Sequence, residues 1–355
     1  MTEAEEPPIP EERAPEAKVP EPQTPRRFAW VFKLLTWLAT AACFYLVYTK
    51  VDAAASAEQL TALQYLLRFF GNADWTLWLA LMVPYSVFFF LVDAHATWRV
   101  IRWYNAPDLR FTSVLPIRAS AYILSLVNEQ VSKGAMTLYL LRHHKVPGWQ
   151  ALSSMIMLAM VEIYQLLLWS ALGVFLYFEL VVAASTALRV DQILVSVFIA
   201  AAVYFPLHIL YFRGYLLSGW RLREMDVLTA FRSAPVLDYV LILLFKAPNL
   251  LGAVVVYTVS LSLFNVDVSF GAMLAFLPVI FLAAAMPLPF HAGALVLWMV
   301  LFPEYPEIGA FSLVMHTFFV LFNAFIGVLF LPRANRELFD PDTVTGAGPN
   351  TDDPV

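Results

Sequence analysis

Polar and ionisable residues gather at two interruptions in otherwise apolar stretches. Between Phe111 and Pro147 the break reads Asn128-Glu129-Gln130-Val131-Ser132-Lys133-Gly134, and between Phe270 and Pro306 it reads Met286-Pro287-Leu288-Pro289-Phe290-His291-Ala292-Gly293. The first supplies donors, acceptors and one mobile cation, Lys133. A helix starting near Gly134 would add free N–H groups and a positive dipole end. With Asn128, that set suits a phosphate or carboxylate; the same composition also suits an ordinary loop between two short helices. In the second break Pro287 and Pro289 remove donors and stop a helix, while Gly293 permits close approach. His291 is placed to protonate or hydrogen-bond a substrate, and His316 lies in a later apolar run from which it could face the same place. Structural hydrogen bonding is the plainer role for both histidines.

Glu162 is the sharpest isolated charge. It lies in the middle of an apolar run, with Gln165 and Trp169 on the same helical face. Ionisable residues at membrane depth are costly and default to interior, functional positions. Lys133 and Arg118 are the expected partners, with Lys246, beside an expected kink at Pro248-Asn249, as another. Such a charge could contact a headgroup or carry protons, or it could be a structural ion pair. Asp93 and His95 stand two residues apart near the end of another run, which points them to different helix faces and argues against an acid–base pair. No His/Cys/Asp/Glu cluster has metal-ligand spacing, and no phosphate loop, nucleophile elbow or zincin helix is evident. No catalytic residue, metal or cofactor is therefore expected.

Those residues need elements to hold them, and composition says which. The chain is 61% hydrophobic and only 14% charged, with a mean hydropathy of +0.70, against roughly 45–50% and 25% for soluble domains. Apolar runs of about 20 residues cross a hydrocarbon core. The expected fold is an all-α polytopic membrane protein with six full spans, near Phe28–Tyr48, Trp75–Trp98, Trp149–Phe178, Val190–Phe212, Val236–Phe264 and Ile308–Leu331. The two broken stretches are read as re-entrant hairpins, because backbone that leaves a helix inside a bilayer must line a cavity or be buried in protein. Ala53–Asn72 reads as an amphipathic surface helix, and Gly214–Arg232 as a second interfacial segment. Residues 1–27 and 333–355 are polar cytoplasmic tails, expected to be disordered over most of their length, and the first lacks the pattern of a cleavable signal. Cys43, the single cysteine, lies in an apolar run and excludes an intrachain disulfide. No basic stripe interleaved with exposed aromatics supports nucleic-acid binding.

Charge sets the expected orientation. With the N-terminus inside, Arg26, Arg27, Lys33, Arg99, Arg102, Arg110, Arg142, Lys145, Arg213, Arg221, Arg223, Arg232, Arg333 and Arg336 all fall on the cytoplasmic side, as the positive-inside rule requires. Both termini are then cytoplasmic. Residues 28–178 and 190–332 form two halves, each with an odd number of full crossings, so the halves are oppositely oriented and an inverted repeat is one reading of the pattern. The first hairpin dips in from the cytoplasm, the second from outside.

From Trp98 to Leu331 the chain resembles the transmembrane region of lysylphosphatidylglycerol synthases, a family of flippase-like membrane proteins. Trp98-Arg99, Asn128, Gly134, Leu141-Arg142 and Glu162 follow the family's order in the first half, and Pro287-Leu288-Pro289 with Gly293 resembles its second re-entrant turn. Departures are Val131-Ser132-Lys133-Gly134 in place of a Pro-x-Arg-x-Gly run, Ala292, Ala294 and Leu295 at the second turn, His316 where an Arg is expected, and Ile163 after Glu162. The resemblance implies a bacterial inner-membrane protein that binds and moves phospholipid or lipid-linked substrates. Asn128, Lys133, Gly134, Arg142, Glu162, Gln165, His291 and His316 are the expected substrate-binding residues. The alternatives are a non-transporting accessory or scaffold with a membrane-protein partner and, with less support, a membrane-embedded lipid-modifying enzyme.

Overall fold

The computed structural model describes residues 26–125, 129–185, 189–285 and 291–339, with side chains except at 26–29, 31–33, 125, 129–133 and 339. The described residues are all-helical, without strands. Six helices are long and apolar enough to cross a membrane: α1 (Arg26–Ala57), α3 (Trp75–Tyr104), α6 (Gly148–Leu176), α8 (Val190–Phe212), α10 (Val236–Leu263) and α13 (Ile308–Phe339). Between them lie α2 (Ala62–Gly71), α4 (Phe111–Ser125), α5 (Glu129–His143), α7 (Phe178–Ala184), α9 (Thr229–Ser233), α11 (Phe270–Ala284) and α12 (Ala292–Leu301). The architecture is that of a multi-pass membrane protein.

Local sequence explains where these helices start. Asp74 caps α3 by accepting the Leu77 N–H at 3.0 Å, and Ser269 caps α11 through Ala272 at 3.1 Å. Thr61 and Gln64 form a reciprocal capping box on α2. Pro147 and Pro235, which have no N–H to lose, precede α6 and α10. The long helices expose large apolar side chains such as Leu35, Phe175, Ile199, Leu244 and Leu329. An apolar surface that extensive belongs in hydrocarbon rather than water. Helices α6 and α10 sit at the centre, whereas α1 and α8 are peripheral: of the described α8 side chains only Val190, Leu194 and His208 are buried.

Four expected boundaries move. Helix α5 begins at Glu129, so Gly134 lies inside a helix and not at its N-terminus; Glu, Gln and Lys are good helix formers and no proline interrupts them. The expected surface helix over Ala53–Asn72 is divided, its first part continuing α1 and the rest forming α2 behind the Thr61 cap. Helix α13 runs past Leu331 and through Pro332 to Phe339, because Ala334 and Leu338 are buried against Ile101, Met136 and Leu140. Helix α3 runs past Trp98 to Tyr104, whereas α10 keeps its expected span and continues through Pro248. Gly214–Arg232 is mostly irregular, with two 3-10 turns before α9. The tails 1–25 and 340–355, and the break residues 126–128 and 286–290, lie outside the described residues, and with them Asn128, Pro287, Pro289 and the expected disorder of the tails.

Two pairs of short helices, α4 with α5 and α11 with α12, pack internally. At 15 residues, α4 and α11 are each about 22 Å long, short of a core of about 30 Å. The start of α4 (Val114, Ile117) and the end of α5 (Tyr139, Leu140) share one buried cluster with the end of α3 and the start of α6. The start of α11 (Met273) and the end of α12 (Leu301) share another with Trp78 of α3, Leu261 of α10 and Phe311 of α13. A hydrogen bond of 3.0 Å from Tyr305 to the Asp267 carbonyl ties together the segments flanking that second pair.

The most extensive helix–helix contacts are α4 on α13 and α6 on α11. Each is a backbone approach made possible by a glycine. A Cβ on Gly327 of α13 would meet the Ala119 carbonyl oxygen at 2.6 Å, and a Cβ on Gly173 of α6 would strike the Leu274 carbonyl oxygen. Small residues that let backbones meet are the usual contact of membrane helices. Gly173→Val and Gly327→Val therefore separate their helices, at an overpacking cost of about 1–3 kcal/mol, and each lowers the melting temperature of detergent-purified protein. Gly134 has open space around its Cβ position, so Gly134→Ala gains up to about 1 kcal/mol from helix propensity and melts no lower than the parent. Thermal melting of the three variants side by side checks both directions.

Candidate functional site

The central helices meet at a chain of four ionised groups. Asp93 of α3 is 2% exposed. Its Oδ2 accepts from Arg118 Nε of α4 at 2.5 Å and from the Tyr122 hydroxyl at 3.0 Å. Its Oδ1 lies 3.4 Å from Nζ of Lys246 on α10. Lys246 reaches on to Glu162 Oε2 of α6 at 3.1 Å. The Arg118 guanidinium also lies over the Tyr122 ring, 5.4 Å from its centroid. Two carboxylates and two cations make the set neutral, which is the condition for holding charge in a low-dielectric interior.

The sequence places these groups by helical spacing. Arg118 and Tyr122 are four residues apart on α4 and share a face. Lys246 and Asn249 are three apart on α10, and Glu162 and Gln165 three apart on α6. Asn249 also locks α10 to α3: its Nδ2 donates to the Phe89 carbonyl at 3.3 Å, and its own carbonyl accepts from the Tyr85 hydroxyl at 3.2 Å.

One end of the ionic chain is open. The Glu162 side chain is 49% exposed, against 5% for Lys246 and 4% for Asp93. A cavity of about 60 Å³ adjoins it, lined by Glu162, Gln165, Lys246, Asn249, Tyr85, Phe89 and Phe281 among others. Gln165 and Asn249 are buried, yet Gln165 Nε2 and Asn249 Oδ1 have no hydrogen-bond partner among the described residues. An orphaned buried donor and acceptor each cost about 1–3 kcal/mol when dry, so this cavity has unmet hydrogen-bonding capacity for water or a polar ligand. It offers one cation, one exchangeable carboxylate, one amide donor and one amide acceptor. That inventory suits an anionic or hydroxylated group; it contains no nucleophile–base pair.

Of the expected site residues, Glu162 and Gln165 come together here. Among the described residues the partner of Glu162 is Lys246; Arg118 joins the same network one step away, on Asp93. His291 and His316 form a pair of their own, with ring centroids 4.2 Å apart. His291 holds a left-handed backbone at φ 51° just before α12, a conformation uncommon for a non-glycine residue. Arg142 donates to the Leu338 carbonyl at 3.3 Å, at the end of α13, and is not part of the ionic chain. Gly134 is exposed on α5. Asn128 and the side chain of Lys133 lie outside the description. Among the described residues no group of His, Cys, Asp and Glu could hold a metal ion.

Sequence reasoning missed Asp93 as the hub. Ending the second span at Trp98 put Asp93 near the surface, but α3 continues to Tyr104, about 16 Å beyond Asp93 at 1.5 Å per residue. His95 does point elsewhere, packing on Trp98, Phe111 and Phe245. The available signal was a set of four isolated charges of balancing sign, one in each of four apolar helices. No protein-family model, curated protein or solved structure matches this chain.

Removing one member of a buried ion pair strands its partner and costs about 3–5 kcal/mol. Asp93→Asn leaves Arg118 without its carboxylate and lowers both folded yield and melting temperature sharply. Glu162→Gln, at the open end, leaves Lys246 still paired with Asp93 and shifts the melting temperature much less. Equal losses for the two variants would contradict the order of burial along the chain.

Proposed function

We propose that this protein is a lipid or lipid-linked-substrate translocase of flippase-like type, resembling the transmembrane region of lysylphosphatidylglycerol synthases, and that the cavity beside Glu162 is where a polar headgroup passes. One observation carries the reading: an ion pair with an open carboxylate, next to an orphaned amide donor and acceptor, in the middle of helices otherwise built for hydrocarbon. An anionic headgroup can take the place of Glu162 on Lys246 while Gln165 and Asn249 meet its remaining acceptors and hydroxyls. Its acyl chains stay in the bilayer. Asn128 and Lys133 in the first break, and His291 in the second, serve the headgroup on its way in and out.

Helix packing supports an inverted repeat of two halves. Exchanging the halves converts the α4–α13 contact into α11–α6, the α4–α5 pair into α11–α12, and leaves α3–α10 in place. The two short pairs also begin and end in different buried clusters, as two re-entrant hairpins entering from opposite faces would. In this reading both termini are in the cytoplasm of a bacterial cell, on the side of the arginine-rich segments, and rocking of one half against the other alternates access.

A second reading is favoured by one fact: every charge of the cluster already has a partner within the chain. That suits an accessory or scaffold protein, in which the ions only pin helices together and another membrane protein does the work. Gln165 separates the two. Gln165→Leu removes an unsatisfied buried group, so it leaves the melting temperature unchanged or raised. A translocase nevertheless loses activity with this change, whereas a scaffold does not. The measurement is the rate at which fluorescent-headgroup phospholipid becomes accessible to a membrane-impermeant quencher in proteoliposomes. We expect movement well above protein-free liposomes for the parent and a several-fold lower rate for Gln165→Leu. No movement above protein-free liposomes, or a parental rate in Gln165→Leu and Glu162→Gln alike, removes the cavity from any transport mechanism.

A further inference from the structure

A larger opening lies on the opposite face of α6. Tyr164, Leu167, Leu168 and Ala171 of α6 face Phe198, Ala201 and Ala202 of α8 across a cavity of about 300 Å³, closed by Leu243 of α10. The gap exists because α8 touches the bundle mainly near its two ends. Val190 and Leu194 are buried at one end and His208 at the other, and the small residues Ala201 and Ala202 leave room between them. Leu168 is 56% exposed, so the groove opens sideways, at the depth of the apolar helices.

The groove has a polar, then basic, end. Tyr164 packs edge-on against Phe205 and His208, at 5.2 and 5.7 Å. His208 Nε2 lies 3.3 Å from the Tyr239 hydroxyl, and Arg213 caps the same end of α8, its backbone N–H donating to the Ile209 carbonyl. Gly214, at φ +83°, sits against the Arg223 guanidinium, whose Nε has no hydrogen-bond partner among the described residues. Neither Arg213 nor Arg223 pairs with a carboxylate among the described residues. From Pro206, the last groove residue on α8, to Arg213 is about 10 Å of helix. The same segment exposes Tyr215, Leu217, Trp220, Leu222 and Met225, the mixture of aromatic, apolar and basic side chains that rests in a headgroup layer.

We propose that the α6–α8 groove and the Arg213/Arg223 pair together bind one anionic phospholipid of the surrounding bilayer, an acyl chain lying between Leu168 and Ala202 and the phosphate at the two guanidiniums. Charge complementarity selects this occupant: two cations without carboxylate partners stand at the end of a groove without charges. The site is separate from the Glu162 cavity and does not depend on transport. The lipid fills the space that α8 leaves open and holds that peripheral helix to α6.

Native mass spectrometry tests this on the full chain, delipidated in a neutral detergent and titrated with dioleoylphosphatidylglycerol or dioleoylphosphatidylcholine. We expect one phosphatidylglycerol retained in preference to phosphatidylcholine, by roughly fivefold for each arginine that meets it. Arg213→Gln/Arg223→Gln, whose changes lie in the segment after α8 and leave the groove lining intact, loses the preference. Ala202→Trp, which fills the groove, loses retention of both lipids. Arg336→Gln, which removes an exposed arginine at the end of α13, keeps the parental preference, which separates the Arg213/Arg223 pair from basic charge in general. Equal retention of the two lipids by the parent, a preference that survives the double arginine variant, or a preference lost in Arg336→Gln overturns the proposal. So does a dimer of the parent that Ala202→Trp abolishes, since a second copy would then occupy the groove.

Discussion

The bundle depends on keeping Asp93 ionised and paired where no water can serve it. Transferring a single carboxylate into an apolar interior costs several kcal/mol even after relaxation, and the only remedy is a cation at hydrogen-bonding distance. Asp93 takes two, from different helices: Arg118 on α4 and Lys246 on α10. Lys246 then carries the linkage to α6 through Glu162. Four helices that have little hydrophobic reason to associate with one another rather than with lipid are thereby joined by charge. The constraint is directional, because Arg118 reaches only Asp93 among these carboxylates while Lys246 bridges Asp93 and Glu162, and so it fixes the rotation of α3, α4, α6 and α10 about their own axes.

The same interaction makes the two short helix pairs unequal. Aligning Phe111 with Phe270 places Leu277 of α11 opposite Arg118 of α4. Leu277 is fully buried in an apolar cluster. The first pair is thus held by an ion pair plus the close approach of Gly327, and the second by apolar packing plus the close approach of Gly173. Apolar packing inside a membrane gains little over packing against lipid. The α4–α5 pair therefore has the more specific anchor.

Much of this was legible in the chain. The six long helices follow from runs of apolar length, and all six N-terminal boundaries lie within about two residues of the helices observed, inside the usual ambiguity of helix ends. The paired short helices were legible because polar and proline-containing breaks interrupt apolar runs at matching offsets. Glu162 and Gln165 were legible as isolated polar groups on one helical face. Three features were not. Asp93 was hidden by its own helix, since Arg99 and Arg102 look like a cytoplasmic boundary but are absorbed by stacking on Trp98, Trp103 and Phe245, which lets α3 run on. The start of α5 at Glu129 was obscured by reading polar residues as loop, although helix propensity does not follow polarity. The orphaned amides are invisible in principle, because whether Gln165 or Asn249 finds a partner depends on tertiary distances alone.

The position of Glu162 at the end of the ionic chain, and not at its centre, determines what the cluster can do chemically. Exchanging the buried Asp93 for an external anion would strand both Arg118 and Lys246. Exchanging Glu162 strands neither, because Lys246 keeps Asp93 at 3.4 Å while it accepts a new partner. The Glu162 side chain is 49% exposed, the least enclosed of the four. An external anion on Lys246 leaves intact the ion pairs by which Asp93 fixes α3, α4 and α10, but it adds one negative charge to the set unless the displaced carboxylate carries its own charge out of the cluster. An ion-pair network serving only as a structural pin has no need of this asymmetry, nor of an adjoining cavity with an unmatched donor and acceptor.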